Sequence, residues 1–341
     1  MIVLGIETSC DETSAAVVTD GRVRSNIISS QLIHGKYGGV VPELASRAHI
    51  RLIVPVVEDA LSKAGVRKHE ISAVAVTQGP GLAGALIVGL SFAKALAYGL
   101  RIPLIGVNHL EGHLYSNFLT EQPAFPFVSL IVSGGHSILV HVEAPFSHRV
   151  LGETRDDAAG EAFDKVGKML GLGYPGGPLV DKLAAEGNPA AIPFPRSYLE
   201  EGTYDFSFSG IKTSVLYYLR SKGLTDTVSK EIIDRQHLAD ICASFQEAVV
   251  DVLVAKAISA ALNTGVRDLT IAGGVSANSL LRKKMKEETD RHGIRLYYPP
   301  IEYCMDNGAM IAYAGWLRLK QGMSSPFTLK PVPNLPLEEL A

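Results

Sequence analysis

Short apolar runs alternate along this chain with longer stretches in which apolar residues recur every three or four positions. That alternation predicts strands interleaved with helices. Residues 2–6 are apolar and predict a strand, the polar residues from Glu7 to Thr13 predict a turn, and 14–18 predict a second strand. Helical patterns run over 42–64 and 83–98, with strand-like runs at 71–77 and 103–107 between and after them. The opening plan then recurs. Residues 127–132 are apolar, Ser133-Gly134-Gly135-His136-Ser137 turns, and 138–142 returns. Two strand–turn–strand units, each opening one half of the chain, predict a duplicated α/β architecture with a mostly parallel or mixed sheet. Further helices are predicted at 158–170, 179–186, 236–263, 278–292 and 306–319. A strand at 268–272 leads into Gly273-Gly274, and a Pro-rich tail over 331–336 reads as irregular.

A length of 341 residues favours two domains. With 47% hydrophobic and 20% charged residues the composition is globular. A formal net charge of −3 excludes bulk electrostatic attraction to nucleic acid, so such a partner would need a local basic patch. Candidate patches are Arg47/His49/Arg51, Lys63/Arg67/Lys68 and Arg282/Lys283/Lys284/Lys286, whose alternative is solvated helix faces. Three scattered cysteines, Cys10, Cys242 and Cys304, suit a reducing compartment better than a disulfide framework. The N-terminus reads as a strand rather than a signal peptide. Residues 81–100 are nearly all small or apolar and long enough for a membrane span. Their Gly and Ala content, after Pro80 and before Arg101, predicts instead a buried helix of a soluble, cytoplasmic protein.

The chemistry concentrates in a few places. In Asn108-His109-Leu110-Glu111-Gly112-His113, two histidines four apart share one helix face and can offer two imidazoles to one metal. The zincin order H-E-x-x-H is not met. Leu110 follows the first histidine, and Glu111 lies about 100° further round the helix, off the metal face. Two half-exposed surface histidines would give the same spacing. A carboxylate would complete a set suited to iron or zinc, and Asp306 is a candidate, although an Asp before an apolar helix is also the expected N-cap. Gly-rich turns at Ser133–His136, Gly273–Asn278 and Tyr174–Pro178 follow neither the P-loop nor the dinucleotide pattern. They can bring backbone close to a phosphate or base. Near them, Asp164 is a candidate for a ribose contact, or for an ion pair with Lys168, and Asp181 can reach the same ligand or begin a helix. Glu7, Asp11 and Glu12 form an acidic turn that can face a phosphate-bound metal, or an ordinary polar hairpin.

With those residues in view, the chain closely resembles the universal tRNA threonylcarbamoyladenosine-forming family, in its bacterial form. The segments that carry the resemblance run in the family's order and include GIETSCDETSAAVV, GGVVPELASRAHI, NHLEGHL, VSGGHS, AGEAFDKVGKMLGLGYPGGP, FSFSGIKT, AGGVSAN and DNGAMIAYAG. They cover nearly everything from residue 2 to about 320.

The resemblance implies a duplicated actin- and hexokinase-like α/β fold with mixed five-stranded sheets and ligand in a cleft between two domains. These would be 1–125 with the helix 307–325, then 126–306, followed by a tail at 326–341. It implies His109, His113 and Asp306 as ligands of one divalent metal, Fe2+ or Zn2+, with Mg2+ accompanying a bound nucleotide. It implies threonylcarbamoyl-AMP against Val132, Ser133, Gly134, Gly135, His136, Asp164, Gly177, Asp181 and Asn278. The acceptor would be the exocyclic amine of adenosine 37, just 3′ of the anticodon in tRNAs that read codons beginning with adenine. The partners would be tRNA, an inactive paralogue, TsaB, and an ATPase, TsaE. Helices between residues 42 and 98 would dock the paralogue. Rival readings are a sugar or acetate kinase on the same fold, a metalloprotease, and a non-catalytic scaffold, against which the His109/His113 pair argues.

Overall fold

The computed structural model describes residues 1–198, 202–224 and 234–337. The chain divides into two compact units, Met1–Gln122 with Pro299–Ala341, and Pro123–Tyr298. The return of the chain to the first unit begins at Pro299, so Asp306 belongs to the same unit as the two histidines.

Unit 1 opens with strands β1 (Ile2–Glu7), β2 (Glu12–Thr19) and β3 (Arg22–Ser30), each antiparallel to the one before. The expected polar turn is therefore shorter than the sequence suggested, because Glu7 ends β1 and Glu12 begins β2. Helix α1 (Pro42–Ala64) starts with proline at its first position and stops at Gly65, which is left-handed at φ 66°. Strand β4 (Ala73–Gly79), helix α2 (Ala83–Leu100), strand β5 (Leu104–Asn108) and the short helix α3 (His109–Tyr115) follow. β4 lies parallel to β1, and β5 parallel to β4, giving the order β3-β2-β1-β4-β5.

Alternation along β1 divides its neighbours. Leu4 and Ile6 enter the core that the sheet shares with Ile53, Val56, Val57, Ala60 and Leu61 of α1 and Leu90, Ala93 and Ala97 of α2. The expectation for α2 holds on one face only. Ala85, Leu86, Gly89, Leu90, Ala93 and Ala97 are buried, but Ile87 is 51% and Tyr98 74% exposed. The helix is long and apolar enough to cross a membrane, and a third of its most apolar window is buried. Gly89 is required where it stands, since a Cβ there would collide with the Thr8 side chain in the turn after β1. Thr8 in turn donates its hydroxyl to Ala85 O at 3.0 Å.

Unit 2 repeats the plan. Strands β6 (Phe127–Val132), β7 (Ser137–Ala144) and β8 (Ser147–Glu153) form an antiparallel meander, followed by helices α4 (Ala159–Met169), α5 (Gly176–Ala184), α6 (Ser209–Ser221) and α7 (Arg235–Thr264). Strand β9 (Asp268–Ala272), helix α8 (Ser279–His292) and strand β10 (Arg295–Tyr297) complete it. β9 is parallel to β6 and β10 parallel to β9, so the order β10-β9-β6-β7-β8 matches that of the first sheet read from its other edge. The duplication expected from two strand–turn–strand openings is present as identical strand order and direction. A core of Val128, Leu130, Val132 and Leu139 packs with Phe163, Val166, Phe245, Val249 and Leu253.

Back in unit 1, α9 (Gly308–Lys320) lies against β1, β2 and β4. It packs on the face opposite α1 and α2, where Val3 and Gly5 point. A Cβ at Gly5 would strike the backbone of Gly308 and Ala312. Val332 donates its N–H to Gln78 O at 2.9 Å, and Leu335 and Leu337 are buried, so the stretch 331–336, expected to be irregular, packs within unit 1 without regular structure.

Candidate metal centre and adenylate-binding turns

α3 begins where β5 ends, and Asn108 caps it by accepting the Leu110 N–H at 2.9 Å. That cap sets His109 at the first helical position and His113 one turn on, with ring centroids 4.7 Å apart. Both are buried. The surface-histidine alternative is thereby excluded.

Asp306 is not the helix cap. Asn307 takes that role, its side chain accepting the Met310 N–H, which leaves the Asp306 carboxylate to face the imidazoles. Its Oδ1 lies 3.1 Å from His113 Nε2 and 3.5 Å from His109 Nε2. One ligand atom from each of the three residues falls within 4.8 Å of the others. The turn that carries Asp306 is fixed to the sheet, because Gly308 donates its N–H to Ser14 Oγ at 2.7 Å. A Cβ on Gly308 would stand 2.7 Å from the backbone of Ala15 and Ala16.

Glu111 lies off the metal face, as the sequence order required. It is buried and accepts from Arg318 Nη2 at 2.8 Å and Nε at 3.2 Å, joining α3 to α9. The metalloprotease arrangement therefore fails in space as well as in sequence.

The electrostatics favour a cation. Burial disfavours a charged His109, but the carboxylates of Asp306 and Glu7 outweigh that and lift its pKa to about 9. Burial raises Glu7, and the opposing pull of His109, with a hydrogen bond from Thr77, brings it below the ordinary carboxylate value. Burial, Asp306 and Asp11 hold Glu12 well above that value. A divalent ion would compensate these crowded acids and displace the proton from His109. Two imidazole nitrogens and one carboxylate oxygen suit iron(II) or zinc. The donor set fits.

The loop before β2 is held from α1. His49, read in the sequence as part of a basic patch, is fully buried. Its Nε2 donates to Cys10 O at 2.9 Å, and its Nδ1 meets Thr13 Oγ1 at 2.8 Å. Burial lowers its pKa, so it is neutral. The other basic groups are mostly engaged: Arg47 with Glu43, Arg67 with Glu70, Lys68 with Glu58, Lys284 with Glu247 and Asp251, and Lys286 with Asp290. Arg282 lies over the Tyr298 ring.

In unit 2 two of the three glycine-rich turns, Ser133–His136 and Gly273–Asn278, stand side by side at the carboxyl ends of the adjacent strands β6 and β9, the edge where open α/β sheets take ligands. Gly273, at φ 85°, faces Val132 so closely that a Cβ would meet its carbonyl. Ser133 is buried, Gly134 and Gly135 are exposed with open space around them, and His136 is half-buried. Asp164 Oδ1 accepts the Gly176 N–H at 2.7 Å and so shapes the turn that presents Gly177. Asp181 accepts from Gln246 Nε2, Ser279 Oγ and Ser279 N at 3.0, 2.7 and 3.2 Å. Asn278 caps α8 through the Leu281 N–H and donates to Gln246 Oε1 at 2.9 Å. The side chains of Asp181 and Asn278 are thus brought together through Gln246. No spacing in the sequence pointed to Gln246, nor to Thr77 and Arg318 in unit 1.

Two halves of this strand order, with glycine turns at the carboxyl ends of the inner parallel strands, define the duplicated actin- and hexokinase-like class. Solved structures of that class superpose. Full-length HypF in a phosphate- and nucleotide-bound form matches with a TM-score of 0.60 at 15% identity, over 95% of this chain and 56% of its own. The activator of the 2-hydroxyisocaproyl-CoA dehydratase from Clostridium difficile, with bound ADPNP, matches at 0.53 and 14%, over 94% and 97%.

The family profile TsaD, tRNA N6-adenosine threonylcarbamoyltransferase, matches residues 22–313, and the chain belongs to that family. The tRNA N6-adenosine threonylcarbamoyltransferase of Salinibacter ruber is 58% identical over 99% of this chain and 100% of its own length. That of Clostridioides difficile is 52% identical over 99% of each.

Proposed function

We propose that the chain is the transferase that moves a threonylcarbamoyl group from threonylcarbamoyl-AMP to the N6 amine of adenosine 37 in tRNA, releasing AMP. The observation that carries this reading is the convergence of His109, His113 and Asp306, in a chain whose relatives over their full length are named for that reaction. A mixed carbamoyl–phosphate anhydride is already activated, so no nucleophilic Ser or Cys is needed. The N6 nitrogen forms a bond to the carbamoyl carbon and loses one proton, while the bond from that carbon to the phosphate oxygen breaks.

The three ligands would hold one divalent metal, iron(II) in our reading with zinc the alternative, supplying Lewis-acid polarisation of the carbamoyl carbonyl. Gly134 and Gly135 offer backbone approach to the nucleotide part of the donor. Asp164, Gly177, Asp181 and Asn278, with Val132, Ser133 and His136, would shape the remainder of that site. Holding donor and acceptor in register contributes a large share of the rate. We assign the paralogue TsaB and the ATPase TsaE as protein partners, Mg2+ as a companion of bound nucleotide, and the cytoplasm as the compartment.

The test is mass spectrometry of nucleosides from tRNA incubated with the purified chain, its partners and synthetic threonylcarbamoyl-AMP. Threonylcarbamoyladenosine is expected. Its absence, together with ATP-dependent phosphorylation of a sugar or acetate, would replace this reading with the kinase one.

A further inference from the structure

One buried carboxylate beside the metal triad has no part in the reading above. Glu7, at the end of β1, is fully buried and carries a complete set of donors. Its Oε1 accepts the Ser9 N–H at 2.5 Å, and its Oε2 accepts the Thr77 hydroxyl at 2.6 Å. The same Oε2 lies 3.1 Å from His109 Nδ1, the ring nitrogen that faces away from Asp306. Ser9 Oγ stands 3.2 Å from that nitrogen too. His113 differs, since its Nδ1 is buried without a hydrogen-bond partner among the described residues.

We propose that Glu7 is a positioning residue for the metal centre, fixing His109 in the tautomer that carries its proton on Nδ1 and presents the Nε2 lone pair to the ion. The inference rests on the reading of His109 as a metal ligand. An ionised carboxylate only accepts hydrogen bonds, so the imidazole must donate from Nδ1. When an ion displaces the other proton, Nε2 is the nitrogen left to ligate it, on the side where His113 and Asp306 converge. Glu7 is itself held at both oxygens by groups on β4 and in the turn after β1, so it cannot follow the ring if the ring rotates.

Glu7→Gln separates this role from simple packing. The backbone N–H of Ser9 cannot rotate away, so the amide oxygen must take the Oε1 position. The amide nitrogen then sits at Oε2 with its hydrogens towards Nδ1. That contact favours the opposite tautomer, with the proton on Nε2, and opposes the metal.

The experiment uses the zinc-loaded full chain with 15N-labelled histidine. His109 is assigned by comparison with His109→Ala, and long-range proton–nitrogen spectra report the state of each ring nitrogen. Expected is zinc on Nε2 of His109 and a low-field hydrogen-bonded proton on Nδ1. In Glu7→Gln that proton signal should disappear. Zinc affinity, measured by competition with a chromophoric chelator, should fall about 10–100-fold. Zinc on Nδ1 of His109 in the natural chain would overturn the proposal, as would a Glu7→Gln affinity within about twofold of it. If Glu7→Gln does not fold, the spectrum of the natural chain still decides. Failure of the underlying reading looks different, with no zinc signature on either ring.

Discussion

Glu111 and Arg318 make the sharpest energetic test of how the centre is built. They pair inside unit 1 with Arg318 only 5% exposed, and they tie α3, which begins with His109, to α9, which follows Asp306. Glu111→Ala removes the buried carboxylate that accepts from two Arg318 nitrogens. Removing one partner of a buried pair costs about 3–5 kcal/mol. For a unit of this size about 2–4 °C of melting temperature accompanies each kcal/mol, so unit 1 should melt roughly 6–20 °C lower. Replacing both partners by apolar residues of similar volume, Glu111→Leu with Arg318→Met, should recover most of that loss, since such exchanges are often neutral or stabilising. The assay is calorimetry of the chelator-treated proteins, with zinc stoichiometry measured in parallel. The double variant should still bind one zinc, because neither residue is a ligand. A Glu111→Ala protein that melts within about 2 °C of the natural chain would refute the reasoning. So would a double variant as unstable as the sum of its singles, or one that no longer binds zinc.

Other outcomes follow from the same geometry. His49 is held neutral, so the unfolded chain takes up a proton below about pH 6.5, where the folded chain does so only at lower pH. Its contribution to stability is therefore complete above that value and lost as pH falls. His49→Gln should flatten the difference in melting temperature between pH 7.5 and pH 5.5, and an unchanged slope would contradict the assignment. Asn278→Ala removes a helix cap and a bond to Gln246, which should cost about 1 kcal/mol and weaken binding of the adenylate by calorimetry. Asn278→Asp keeps the cap and should recover the stability. Equal adenylate affinity in all three proteins would remove Asn278 from the site.

Much of the architecture could be read from residue patterns because its strands and helices are buried on predictable faces. β6 and β9 match their apolar runs residue for residue, and α1 begins and ends where its proline and glycine require. β3 and β8 were missed because they are edge strands. They carry polar residues, Arg22, Arg24 and Ser30 in one and Ser147, His148 and Arg149 in the other, so neither reads as an apolar run. β10 has only three residues, too few for a period. α6 did carry a signal, Ile211, Val215 and Leu219 at four-residue intervals on its buried face.

At the metal centre, the histidine pair was legible from helical spacing, whereas Asp306 was a candidate ligand that could equally cap a helix until the family resemblance singled it out. Asp306 and His113 stand 193 positions apart in the chain, a separation no periodicity bridges. Thr77 and Gln246 were invisible for a related reason: each acts through a partner on a different element. His49 misled because a histidine between two arginines looks solvent-facing, whereas its helix turns it inward to Thr13 and Cys10.

The central claim is that His109, His113 and Asp306 hold a metal on which transfer depends. It is tested most directly by measuring threonylcarbamoyladenosine in tRNA with chelator-stripped protein, before and after stoichiometric iron(II) or zinc is restored. Transfer should be absent from the stripped chain and return with the ion, and a folded His109→Ala/His113→Ala protein should stay inactive at every metal concentration. Full transfer by either the stripped chain or that double variant would contradict the account.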